Sequence, residues 1–195
     1  MISRDIMDIT RAIDSLKDEI KNNGIVPERG LGTELFLFLS TLTPIINVDI
    51  LVTDRNNRVL LAWRDDVHAG RGWHIPGSCI RFRETFEQSI ERCAREELGT
   101  EVQFYREPIK CYEFHSDTLR KGLDDQNERA HFVTLVFACK VQKDYRINNE
   151  GRLNNEAGYL KWFDTIPEDI LPVHRCYQQD WGMLISKINR ISDYY

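Results

Sequence analysis

The chain has 195 residues, of which 42% are hydrophobic and 29% charged, with a formal net charge of −5. That length suits one well-cored domain with an extra element and falls short of two full ones. No basic run suits a nucleic acid partner, and no apolar run reaches the roughly 20 residues of a membrane span. Cys79, Cys93, Cys111, Cys139 and Cys176 are scattered and hold no CxxC pair, so reduced thiols in a cytoplasmic protein are the expectation. Acidic residues among the first apolar ones argue against a signal peptide.

Residues 2–22 read as an amphipathic helix, with Ile2, Ile6, Ile9, Ile13, Leu16 and Ile20 at spacings of four and three. Arg4, Asp8, Arg11, Lys17 and Lys21 lie opposite. An isolated helix of this length is marginal in water, so the stripe needs a partner. That is either its own domain or the same helix of a second chain, and the narrow seam favours a homodimer. Residues 1–27 are accordingly expected as helix and connector, and 28–195 as the main domain. A second helix is predicted over 33–42 and strands over 45–53 and 58–63, with a turn at Asp54-Arg55-Asn56-Asn57. A loop over 65–71 leads to a short strand around Trp73-His74-Ile75.

The next stretch is the most specific. Gly77 follows a proline, Glu84 stands seven positions on, and the run Thr85 to Leu98 carries Phe86, Ile90, Ala94 and Leu98 on one helical face before Gly99. On that helix Arg92 and Glu96 lie one turn apart, as do Cys93 and Glu97. Glu97 falls at the edge of the apolar stripe, where a carboxylate is costly unless a cation meets it. Carboxylates near a glycine with a free carbonyl make a hard oxygen site suited to magnesium, which takes its remaining ligands from substrate phosphates. Read alone, the helix is equally an amphipathic surface element with solvated charges. Further strands are predicted over 101–105, 109–115, 131–143 and 158–163, with a loop over 116–130 that holds Lys121, Gly122, Asp124 and Asp125. A closing helix over 173–191 completes an α/β/α sandwich around a mixed sheet.

The joint spacing resembles the Nudix box, a pattern of glycine, five residues, glutamate, seven residues, then Arg-Glu-apolar-x-Glu-Glu-x-Gly-apolar. Glu84, Arg92, Glu96, Glu97 and Gly99 match it. Ser78 takes the place of the glycine, Cys93 that of the first helical glutamate, and Thr100 that of the last apolar residue. Over residues 34–180 the likeness is greatest to the GDP-mannose mannosyl hydrolases of that superfamily, through Pro44 to Ile50, Leu60 to Arg64, Gly72 to Gly77 and Glu96 to Gly99. That subfamily also lacks the first helical glutamate.

The resemblance implies a magnesium-dependent hydrolase, with manganese as the substitute cation, acting on a nucleoside diphosphate linked to another moiety. Carried over by position, the Gly77 carbonyl, Glu96, Glu97 and Glu156 are the implied metal ligands. Arg64 and Arg92 would neutralise diphosphate oxygens, and Asp49 and His115 would line the sugar end. The subfamily's catalytic histidine is replaced by Ala157, which takes no proton. Glu156, His115, or another residue of 148–156 such as Glu150 is left as the general base. The missing histidine points to attack on phosphorus, and the overall likeness points to attack on the sugar carbon. A non-catalytic nucleotide sensor is the rival reading that Cys93 and Ala157 motivate.

Overall fold

The computed structural model describes residues 4–66, 69–115 and 131–191, without the side chains of residues 4–7 and 115. The segment 116–130, read from the sequence as a loop, lies outside the described residues.

Eight strands and four α-helices make up the described fold. Helix α1 is Arg4–Asn22 and α2 is Thr33–Ser40, with a 3-10 turn at Pro27–Arg29 between them. Strands β1 (Ile45–Val52), β2 (Val59–Asp66), β3 (Gly70–His74) and β4 (Gly77–Cys79) follow. Next come α3 (Phe86–Cys93), strands β5 (Val102–Phe104), β6 (Lys110–His115), β7 (His131–Val141) and β8 (Leu160–Phe163), and α4 (Cys176–Ile191). One sheet runs β4-β1-β7-β5, with β6 also pairing β7, and β1 and β7 are its parallel pair. The second sheet, β3-β2-β8, is antiparallel.

Strand alternation sorts side chains onto two faces. Val48, Ile50 and Val52 of β1 and Phe137 and Cys139 of β7 pack with Ile90, Cys93 and Ala94 of the box helix. Leu51, Val136 and Ala138 point the other way, to Tyr177, Trp181, Leu184 and Ile188 of α4. A helix on each face of the sheets is the expected α/β/α sandwich. Leu135, Phe137, Cys139 and Val141 of β7 all pack on the α3 side.

One local expectation is corrected. Both ends of the predicted loop 65–71 are strand, because β2 runs on to Asp66 and β3 begins at Gly70, pairing Asp66 with Gly70 and Asp65 with Arg71. Gly77 sits in the short strand β4 opposite Asp49. A Cβ there would collide with the Asp49 carboxylate and the Val48 carbonyl, so only glycine allows this approach of the two strands.

The box helix begins with a capping box. Thr85 accepts from the Gln88 amide, and the Gln88 side chain accepts from the Thr85 amide. It ends in a π turn, Ala94–Leu98, closed by Gly99 in the left-handed region at φ 65°. Ile90, with no exposed surface, fastens the helix to the sheet. We expect Ile90→Ala to cost about 3 kcal/mol by urea unfolding and Thr85→Ala about 1 kcal/mol. Equal losses would mean that the packing of Ile90 holds the helix no more firmly than the cap does.

Candidate functional site

The loop before the box helix is tied to the helix by Arg92. Its guanidinium donates through Nε to Glu84 Oε1 at 2.7 Å and through Nη2 to Glu84 Oε2 at 2.9 Å, a two-pronged pair. It also reaches the Cys79 carbonyl at 2.9 Å and Glu96 Oε2 at 3.0 Å. Both partners of the Glu84 pair are largely buried, with 12% and 11% of their side chains exposed. Burial pushes the Glu84 carboxyl up, but the Arg92 bonds and charge, the Arg81 amide and Ser89 together outweigh it and hold it below the usual glutamate value. Arg92 in turn is held protonated, chiefly by Glu84.

Beyond this lock a cavity of about 360 Å³ opens over the sheet. Glu97 reaches it from the π turn, Arg64 from the end of β2, Gly77 from β4 and Asp49 from β1. Four sequence-predicted residues therefore share one space. Burial pushes the Glu97 carboxyl up, yet His74, whose Nε2 lies 3.7 Å from Glu97 Oε2, and the Arg64 charge bring it below its ordinary value. Arg64 pairs with Asp66.

Asp49 is 4% exposed and accepts a 2.6 Å bond from the Tyr177 hydroxyl. Burial pushes its carboxyl up to about 7 against the lowering effects of Tyr177 and Arg64. His174 approaches the same oxygen at 3.9 Å through Nε2. The Ile75 amide donates to His174 Nδ1 at 2.9 Å, which assigns the proton of the neutral ring to Nε2. Burial, with the charges of His74 and Arg64, holds the His174 pKa well below the usual value.

Arg92, Glu96 and Glu156 stand apart from the cavity. Arg92 is engaged by the box loop and does not line the cavity. Glu96 is half exposed and bonded to Arg81 and Arg92. Glu156 lies exposed in a turn, where it accepts from the Leu153 amide at 2.9 Å, and it does not line the cavity. The backbone of His115 pairs with His131 at the end of β6, and its side chain lies outside the described residues. The reading from sequence missed Phe36, Asn47, His74, Thr134 and His174 in the lining, and Tyr177 beneath it. His74 lies inside a stretch that carried the resemblance, so a signal was there. Tyr177 and His174 sit more than 120 positions from Asp49 with no local pattern to link them.

The lining fits a hard cation in donor type. The Glu97 carboxylate and the Gly77 backbone face it, and the buried Asn47 Oδ1 has no hydrogen-bond partner. Among the described residues no three His, Cys, Asp or Glu side chains converge as a cage, a situation in which magnesium relies on substrate phosphates and water.

The raised Asp49 carboxyl has a testable sign. Its folded pKa of about 7 exceeds its unfolded value of 3.8, so the native state binds the extra proton and stability falls as pH rises between those values. Asp49→Asn keeps an acceptor for Tyr177 and removes that penalty. We expect the variant, unfolded in EDTA, to gain stability over the wild type as pH rises from 4 to 8. A constant difference across that range would show that Asp49 is ionised when buried.

Comparison with known proteins identifies the family. The NUDIX-domain family model matches residues 43–172. The low-salt glycan biosynthesis protein Agl8 of Haloferax volcanii is 26% identical over 129 residues, covering 66% of this chain and 76% of that protein. The MutT protein of Methanosarcina mazei Go1 superposes with a TM-score of 0.53 at 17% identity, over 75% of this chain and 96% of that one. A UDP-X diphosphatase superposes at 0.51 and 18% identity, over 97% of this chain and 85% of its own. At these identities the two structures establish the fold, and the family match carries the assignment. The chain belongs to the NUDIX family and is a hydrolase of that family.

Proposed function

We propose that the protein hydrolyses a nucleoside diphosphate derivative, most specifically a nucleotide sugar, with magnesium and with manganese as a substitute. The observation that supports this is the single cavity in which Glu97, Arg64, Gly77 and Asp49 meet. Glu97 and the Gly77 carbonyl would hold the cation, which when bound offsets diphosphate charge and lowers the pKa of water. Arg64 is the guanidinium in the lining, and exchanging Asp66 for diphosphate oxygens keeps it paired throughout. Asp49, near its midpoint at neutral pH, can give or take a proton at the sugar end, and Tyr177 holds it in place.

Agl8 is named for glycan biosynthesis and the UDP-X diphosphatase for a uridine diphosphate substrate, and both names agree in class with this reading. One observation favours attack on phosphorus instead: Ala157, which holds no proton, stands where the mannosyl hydrolases carry their catalytic histidine. Incubation with a panel of nucleotide sugars and dinucleotides in magnesium separates the two. We expect nucleoside diphosphate and free sugar, and nucleoside monophosphate would move the attack to phosphorus. Glu97→Gln should lower turnover by orders of magnitude with the fold intact, and Glu96→Gln, tied to Arg81 and Arg92 outside the cavity, should cost less. Unchanged turnover of Glu97→Gln at saturating magnesium would remove that residue from the site.

We further propose a homodimeric cytoplasmic protein in which residues 1–27 form the pairing element and 28–195 the catalytic domain. Ile9, Ile13 and Leu16 of α1 are 60%, 48% and 39% exposed, an apolar stripe that water disfavours. Deletion of residues 1–24 is expected to halve the mass in solution. A full-length protein that sediments as a monomer would end the pairing idea.

A further inference from the structure

A second cleft, of about 760 Å³, lies at the far end of the sandwich from the site. The parallel strands β1 and β7 set the separation. Asn47, Asp49, Phe132 and Thr134, near their starts, line the catalytic cavity, whereas Thr53, just past β1, and Lys140 and Val141, ending β7, line the cleft. The β1–β2 turn closes one side. Asp54 orders that turn by accepting from the Asn56 and Arg58 amides and from the Arg58 guanidinium. Tyr145, whose hydroxyl is bonded to the Leu98 carbonyl, and Trp162 of β8 supply aromatic wall, and both pack on the core.

The charge of this lining is opposite to that of the whole chain. Arg55, Arg58, Lys140, Lys143 and Arg146 all face the cleft. Asp54, its one carboxylate among the described residues, is already saturated by Arg58. Arg55, Lys143 and Arg146 form no ion pair or hydrogen bond among the described residues. Gathering cations in a concave wall raises the potential inside it, and water alone does not offset that as well as a bound polyanion does. The guanidinium forks of Arg55 and Arg146 match phosphate oxygens, and the volume lies within the usual range of ligand sites.

We propose that this cleft binds a polyphosphate chain, either free or carried by a nucleotide, at a site separate from the catalytic cavity. The full-length protein is titrated calorimetrically in EDTA, so that the catalytic site has no cation to hold phosphate. The probes are inorganic tripolyphosphate and ATP. Saturable binding of one tripolyphosphate per chain is expected, weakened about a hundredfold in Lys143→Gln/Arg146→Gln and unchanged in Glu97→Gln. The double variant should retain its hydrolytic rate and its circular dichroism, since neither residue touches the catalytic cavity. Equal affinity for the two probes identifies the inorganic chain as what is read. ATP at least tenfold tighter identifies a nucleotide, with its ring on Trp162 or Tyr145. The proposal is overturned by absence of tripolyphosphate binding up to about 10 mM, by unchanged binding in the double variant, or by loss of binding in Glu97→Gln.

Discussion

The two-pronged pair between Arg92 and Glu84 is the constraint on which the rest of the site depends. Arg92 sits on the helix and Glu84 in the loop before it, so their bond fixes how the chain enters the helix. The same guanidinium grips the Cys79 carbonyl at the end of β4, and β4 is the strand that sets Gly77 against Asp49. One side chain thus joins helix, loop and strand. Removing either partner of so buried a pair costs about 3 kcal/mol or more, because the other charge is left desolvated. Arg92 thus ties the helix that leads to Glu97 to the strand that carries Gly77.

Strand β1 then divides its labour by parity. Its even residues, Val48, Ile50 and Val52, build the core beneath the box helix. On the odd face Leu51 packs toward α4, and one step earlier Asp49 meets Tyr177 of the same helix. A carboxyl in that apolar setting is tolerable because a hydroxyl satisfies it and because burial raises its pKa to about 7, so that it sheds much of its charge. The closing helix is consequently part of the site as well as of the core. His174, in the 3-10 turn Pro172–His174 just before that helix, completes the arrangement by accepting the Ile75 amide.

Much of this was legible in the chain. The box helix declared itself because its apolar period, its glycine stop and its acid pair all fall within fifteen residues. The sandwich followed from strands flanking that helix and a second apolar helix at the end. Gly77, Glu97, Asp49 and Arg64 meet because the spacing that carried the resemblance also encodes how β1, β2, β4 and the helix close together. Glu156 was the hardest to place. Its turn hangs on a local bond from the Leu153 amide to its carboxylate and a distant one from the Gly158 amide to the Trp63 carbonyl, and neither leaves a periodic trace from which a direction can be read. His174 and Tyr177 were invisible for a different reason: a contact across more than 120 residues is written only in the fold.

Cys93 shows how the departures from the box fit together. It is wholly buried beside Ile90 and Phe137, and burial together with the charges of Glu97 and Asp49 keeps its thiol neutral. A carboxylate at that point would lie close to two others, and among the described residues the cavity lining offers it no guanidinium beyond Arg64, Arg92 being spent on the loop. Like charges so placed cannot all ionise. With cysteine instead, the described lining carries the Glu97 carboxylate, the Arg64 guanidinium, and an Asp49 carboxyl near its midpoint at neutral pH. Under the proposed function a cation in such a site would take its remaining oxygens from the substrate and water. The loss of the glutamate and the retention of Arg64 are two sides of one electrostatic arrangement.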